Sequence, residues 1–315
     1  MTNRLPGSFF RHPTDSLQVI DYLRGLFSCA GEVIGPKHLE LEGVCDSRSG
    51  GHRQFVFSSF QHYSIDLGLT ESLVLIDELP EEGDRGSNQF LRISDPRAAF
   101  IDTLEWLITS AGLDAHRAGF GLQSTVSKKA EIASSAVIEP GVEIGAGCVI
   151  SAGAVIKTGT QIGDNTVIRE NVVIGSDGVT VYRAAVNRLL KFPHVGGVKI
   201  GSRSEVGANA VVAGGILAPT VIGDDVVIGN LCNVGHGAII GNGAWMSVGS
   251  LIGGHTTIQA GATVAMGVTV RDNLVIGEQA SLGMGSVVVK NVESAHSVFG
   301  NPAKRMPGLK TGPKR

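Results

Sequence analysis

The chain has 315 residues, a formal net charge of −3 at pH 7 and a pI near 6.3, values that exclude the strongly basic face expected of a nucleic-acid binder. No run approaches the roughly 18 apolar residues of a membrane-spanning helix, and Met1 to Phe10 lacks the apolar core of a secretory leader. Cys29, Cys45, Cys148 and Cys232 show no C-x-x-C spacing and read as small buried hydrophobes of a reducing compartment, so a cytoplasmic location is expected.

The length allows two domains, and the composition shifts between them. Glycine, 44 of 315 residues, is about twice its average usage of roughly 7% and gathers after residue 119, whereas most phenylalanines precede it. Thr14 or Asp15 is placed to cap a helix running to about Ser28, with Leu17, Ile20, Leu23, Leu26 and Phe27 on one face. Leu39 to Cys45, Gln54 to Phe57 and Ser72 to Ile76 read as strands, and Asp84 to Gln89 as a polar loop. Asp95-Pro96 starts a second helix, because Asp accepts from orphan N–H groups and Pro suits the first helical position. Phe100, Leu104, Leu107 and Ile108 supply its apolar stripe and Gly112 ends it. Residues 1–118 are therefore expected to form a small α/β domain.

From Val126 onward an apolar residue recurs every six positions. The series runs through Ile132, Ile138, Ile144, Ile150, Ile156, Ile162, Ile168 and Ile174, resumes at Ile200, Val206 and Val212, and continues from Ile222 to Val288. Short strands that each bury one side chain and then turn a corner produce this period, so three hexapeptides make one triangular coil of 18 residues. Successive coils stack at roughly 4.8 Å, which places residue i beside residue i+18. The expected fold is mainly β, a parallel β-helical solenoid over 119–290 with a tail over 291–315. Two steps are too long: residues 175–197 must leave the coil as an excursion, and a shorter excess surrounds Ala213 to Leu217. Long loops in compact folds are usually functional.

Inward positions of such a coil are apolar, so polar chemistry must use its outward positions and loops. In Val234-Gly235-His236-Gly237-Ala238 the histidine falls two places after an inward residue, between glycines. One coil later stands Gly254, followed by His255. A glycine there offers its backbone N–H without an obstructing Cβ, and a general base beside a free backbone donor is the minimal equipment for acyl transfer. His194 and His255 are further candidates near this level. A metal would need ligands converging from adjacent turns, and no H-x-x-x-x-H spacing supplies them, so no metal is expected. Lys304, Arg305, Lys310, Lys314 and Arg315 form the one basic cluster.

These residues carry a family resemblance. A small α/β domain, a hexapeptide array, Asn171-Val-Val-Ile-Gly-Ser-Asp-Gly178, a loop ending Lys191-Phe-Pro-His-Val-Gly-Gly197, and Asn230-Leu-Cys-Asn-Val-Gly-His-Gly237 together resemble the UDP-3-O-acylglucosamine N-acyltransferases of lipid A biosynthesis, over about residues 20–290. The resemblance implies a left-handed β-helix, a homotrimer with sites between subunits, a nucleotide-sugar acceptor and a donor borne on acyl carrier protein, with no bound cofactor. It makes His236 the catalytic base and Gly254 the oxyanion-hole glycine, and puts Asn233, His255 and His194 near the substrate. Asn273 stands where the family has a second histidine. The family's nucleotide-binding F-x-x-N-x-x-Y is Phe57-Ser-Ser-Phe-Gln-His-Tyr63 here: Phe57 and Tyr63 match, but Phe60 replaces an Asn that reads a base edge, leaving the base open. The ending Phe299-Gly-Asn-Pro-Ala-Lys-Arg-Met-Pro307 resembles instead the coenzyme A-dependent sugar acetyltransferases, so acyl-CoA stays open as donor. A non-catalytic nucleotide-sugar-binding scaffold and a metal-dependent hydratase on the same solenoid are the remaining alternatives.

Overall fold

The computed structural model describes residues 9–27, 31–45, 51–63, 68–110 and 123–305, in two compact units. The first comprises residues 1–118 together with Val179–Val195, and the second residues 119–178 and 196–315. Part of the long excursion thus belongs to the N-terminal unit, and Gly112 and Cys29 lie outside the described residues.

The N-terminal unit is built on a six-stranded sheet in the order Phe9–Asp15, Glu40–Val44, Gln54–Phe57, Leu73–Ile76, Gln89–Arg92, Val33–Ile34. Its three central pairings are parallel and its two edge pairings antiparallel. The helix Ser16–Leu26 is capped by Asp15, whose Oδ1 accepts from the Leu17 N–H at 2.9 Å. Its buried stripe is Ser16, Val19, Ile20 and Leu23, while Leu17 and Leu26 are exposed. The expected face was therefore rotated: Asp15 starts the helix, and the i, i+3, i+4 register counted from Ser16 selects Val19 and Ile20. The helix Pro96–Ser110 begins as anticipated, with Asp95 Oδ1 accepting from Ala98 N–H at 3.0 Å. It buries Phe100, Leu104 and Leu107 completely, Phe100 stacking on Phe55 at 4.9 Å between centroids. Gln89, placed in a loop by its polar neighbours, instead opens the buried strand Gln89–Arg92, and its side chain donates to Pro36 O.

Within this unit the excursion forms an antiparallel hairpin, Val181–Arg183 with Leu189–Lys191. Polar contacts tie it to the second helix: Tyr182 Oη donates to Asp95 Oδ1 at 3.0 Å, the Arg97 guanidinium lies 4.9 Å from the Tyr182 ring centre, and Arg188 pairs with Asp102. Phe192 closes the contact against Phe57 and Phe100.

The second unit is the β-helix, with the fold of the left-handed hexapeptide solenoid. Among the described residues its strands form three parallel faces of ten, eight and eight members, a final antiparallel pair excepted. The register is that of the period: Ile132 pairs with Ile150 and Ile252 with Val270, both 18 residues on. Where the two breaks intervene the offset lengthens, Ile162 pairing with Ile200 and Ile200 with Ile222, and the ladder continues unshifted. Ile144 through Val288 are buried as expected. Val126 and Ile132 are 37% and 36% exposed, because among the described residues no coil lies beneath the first. A second inward position, two residues before the ladder residue, holds small side chains, among them Val142, Cys148, Ala154, Cys232, Ala238, Ser250 and Ala262, all buried. Small residues there leave room for the branched ladder at the centre. Residues beyond 291 are not only a tail. Ser297–Phe299 pairs with Ser281–Leu282, and Lys304–Arg305 folds back antiparallel upon it.

Candidate functional site

One corner of the triangle collects the irregular chemistry of the solenoid. The second face holds Val173–Ser176, Val211–Ala213, Asn233–Val234, Leu251–Ile252 and Thr269–Val270; the third holds Val198–Ile200, Thr220–Ile222, Ile239–Ile240, Thr257–Ile258 and Val275–Ile276. Both breaks in the six-residue step fall between these faces. On the next coils the same corner carries His236, then Gly254 and His255, then Asp272 and Asn273. The period gave the vertical spacing of these residues, and the face assignment adds that the insertions lie on their column.

His236 and His255 interlock with the glycines of each other's coil. A Cβ on Gly254 would lie 2.5 Å from Cε1 and 2.6 Å from Nε2 of His236, so the imidazole rests directly on the bare glycine. A Cβ on Gly237 would lie 2.6 Å from His255 Nδ1. The two rings meet edge to face, 4.9 Å between centroids at 77°. Gly237 also adopts φ +64°, which glycine allows without strain, whereas Gly254 is needed for space alone. His255 and Asn273 turn the next two corners at φ +54° and +58°. Their N–H groups donate to the carbonyls of His236 and Gly254, each at 2.9 Å, and fix the coils to one another. Among the described residues the Gly254 N–H is in no backbone hydrogen bond.

Burial is the main cause that holds the His236 imidazole below its ordinary pKa; the neighbouring His255 acts in the same direction and Asp272 opposes both. The ring is thus kept neutral near pH 7, the state in which imidazole accepts a proton. Asp272, absent from the sequence reading, was findable: it is two coils from His236, at an offset of 36 residues. Asn273 Nδ2 donates to Asp272 Oδ2 at 2.6 Å, which orients the carboxylate. Asn233 is exposed on the second face, paired in register with Leu251.

The other expected residues lie in the N-terminal unit. His194 is completely buried there. Phe57 is half-buried, with ring centres 4.8 Å from Phe100 and 6.3 Å from Phe192. Tyr63 stands edge-on to Phe90 at 5.2 Å, its hydroxyl donating to Asp84 O at 3.3 Å, and burial pushes its phenol pKa up. Both aromatics therefore carry part of that unit's packing. Among the described residues no group of His, Cys, Asp and Glu is arranged to hold a metal ion, and no helix is long and apolar enough to cross a membrane. A cavity of about 270 Å³ at the C-terminal end of the stack is lined by Lys290, His296 and Arg305, among others, and includes none of His236, Gly254 or His255.

Comparison with known proteins bears on the solenoid. The family described as hexapeptide repeat of succinyl-transferase matches residues 133–158 and 197–230. Among solved structures, the UDP-N-acetylglucosamine acyltransferase of Bacteroides fragilis is similar at 20% identity over 58% of this chain and 74% of its own, with a TM-score of 0.45. The Arabidopsis UDP-N-acetylglucosamine acyltransferase is similar at 21% over 58% and 72%, with a TM-score of 0.44. That of Francisella novicida is similar at 25% over 59% and 68%, with a TM-score of 0.32. The six-residue period, the 18-residue register and the matched repeats together make the second unit of this chain a hexapeptide-repeat solenoid.

Proposed function

We propose that this protein is an acyltransferase that moves an acyl group from a thioester to the amine of a nucleotide-activated amino sugar, as in the N-acyltransferases its motifs resemble. The observation that carries the reading is the seat of His236 on Gly254: a half-buried, neutral imidazole against a glycine whose N–H is in no backbone hydrogen bond among the described residues. In the proposed reaction the acceptor nitrogen attacks the thioester carbonyl while His236 takes the amine proton. The C–N bond forms and the carbonyl electron pair moves onto oxygen, where the Gly254 N–H stabilises it. Collapse breaks the C–S bond, and the imidazolium returns its proton to the departing thiolate. His255, Asn233 and Asn273 are assigned to the substrate from their places on or beside the same corner. His194, Phe57 and Tyr63 are assigned to acceptor and nucleotide through the resemblance, with the exposed part of each half-buried aromatic available for stacking.

The donor is proposed to be an acyl chain on acyl carrier protein. The ending Phe299-Gly-Asn-Pro-Ala-Lys, folded as the last strand pair of the stack, favours acyl-CoA as the second reading. A homotrimer is part of the proposal, supported by an exposed apolar column. Leu231, Val248, Met266 and Met284 follow one another up one corner and are flanked by Trp245 and Leu251; all six are large and exposed. The test is thiol release from acyl carrier protein thioesters and from acyl-CoA, each with a panel of nucleotide sugars. The expected result is acceptor-dependent release that falls by about 10²- to 10⁴-fold in His236→Ala, the usual contribution of a general base. Near-parental turnover in that variant would overturn the mechanism, and saturable sugar binding without release from any donor would favour a scaffold.

A further inference from the structure

The short insertion Ala213 to Pro219 changes the hydrogen bonding of the turn that carries His236. At most corners of this solenoid the residue at positive φ donates its N–H to a carbonyl of the preceding coil, Gly153, which donates to the Ser135 hydroxyl at 3.3 Å, being an exception. His255 donates to His236 O, Asn273 to Gly254 O, Gly243 to Asp224 O and Gly249 to Asn230 O, each at 2.9 Å. Gly237, at φ +64°, departs from this rule. Its preceding coil is the one lengthened by the insertion, and its N–H donates instead to the hydroxyl of Thr220, at 2.8 Å. Thr220 Oγ1 in turn donates to Ala213 O at 2.6 Å, on the other side of the inserted segment. The side chain is completely buried, where an unmet donor or acceptor is costly. A single hydroxyl thus replaces the missing ladder carbonyl and clamps both ends of the insertion to the residue that follows His236.

We propose that Thr220 is a positioning residue for His236: by holding the Gly237 N–H it sets the turn that rests the imidazole on Gly254. This rests on the reading of His236 as the base. Threonine recurs in this ladder, at Thr160 and Thr256 as well as Thr220, with Val198 and Ala238 between them. The Thr256 hydroxyl, however, donates to Arg271 O, whereas that of Thr220 is turned to the insertion and to Gly237. What sets Thr220 apart is the use of its hydroxyl, which meets the Gly237 N–H where the lengthened coil offers no carbonyl.

The experiment compares Thr220→Val, which keeps the shape and removes the hydroxyl, with Thr220→Ser, which keeps the hydroxyl. Two readouts are taken: steady-state thiol release, and the His236 ring resonance in histidine-labelled protein, assigned with His236→Ala. Thr220→Val is expected to lower kcat by about 10- to 100-fold, as for a displacement of up to about 1 Å at a reacting group, with the acceptor KM within about threefold. The His236 resonance is expected to move, and Thr220→Ser to restore both. Equal losses in Val and Ser, or a folded Thr220→Val with parental kcat and an unmoved resonance, would overturn the proposal. Should Thr220→Val not fold, Thr220→Ala is read by the same two criteria. The resonance separates the two levels of the argument. If His236→Ala retains turnover the base assignment fails, while a shift in Thr220→Val reversed by Ser still upholds the clamp.

Discussion

Replacing Gly254 by Ala isolates the contact on which the proposed chemistry depends. Gly254 is not among the residues at positive φ, so its backbone accepts a Cβ, and the nearest atoms to that Cβ are all in the His236 ring, at 2.5 to 3.0 Å. Ordinary contact between such atoms needs about 3.5 Å, so the ring must retreat by about 1 Å. A misplacement of that size costs on the order of 10²-fold in rate, equivalent to about 2.7 kcal/mol in the barrier. The fold has little to lose, because the retreat is a side-chain rotation costing about 1 kcal/mol. The assay is the initial rate of thiol release with saturating acceptor, alongside the urea midpoint. In a His236→Ala background the same change should cost far less, since the ring it displaces is gone. A Gly254→Ala enzyme within threefold of parental kcat, with an unchanged urea midpoint, would refute the claim that this contact places the base.

The remaining predictions test the titration, the core and the exposed column. The rate should rise with pH as His236 loses its proton and level off by about neutrality; His255→Ala should move the rising limb to higher pH and Asp272→Asn to lower pH, following the directions in which each neighbour acts. Because the folded pKa of His236 is depressed, its contribution to stability is present above the unfolded value of about 6.5 and is lost as pH falls through the folded one. Urea midpoints should therefore drop on acidification more in the parent than in His236→Asn. Ile240→Ala, in the ladder at 1% exposure, should cost about 2 to 5 kcal/mol in urea unfolding; a loss under about 1 kcal/mol would contradict the packed core. Leu231 is 59% exposed at φ +59°, a conformation that Asp tolerates better than Leu, so Leu231→Asp should leave the coil folded while light scattering shows smaller assemblies. An unchanged mass would remove the apolar column as support for a trimer.

The solenoid was legible in the sequence because its code is local and repeated. One branched residue every six positions specifies a coil, and the coil's length turns an offset of 18 into a neighbour. That arithmetic brought Gly254 to His236 and would have brought Asp272 as well. The helix starts at Asp15 and Asp95 were readable for the same reason, since a cap acts within one turn. The helix face was less so: Leu17 and Leu26 fit an apolar stripe as well as Val19 does, and only the sheet beneath decides which leucines are covered. Phe57 and Tyr63 matched a binding motif, yet their packing against Phe100, Phe192 and Phe90 joins segments far apart in the chain.

By itself, then, the sequence determined the repeat, the coil and the vertical pairing of the catalytic candidates, because these depend on spacing along the chain. Tertiary structure alone decided which corner holds them. It showed that both breaks in step open on the column of His236, that the hairpin around Tyr182 packs with the N-terminal unit, and that the Thr220 hydroxyl takes the place of a carbonyl. Each of those facts follows from an insertion whose path the period does not encode, and from backbone groups that must find partners wherever that path leaves them.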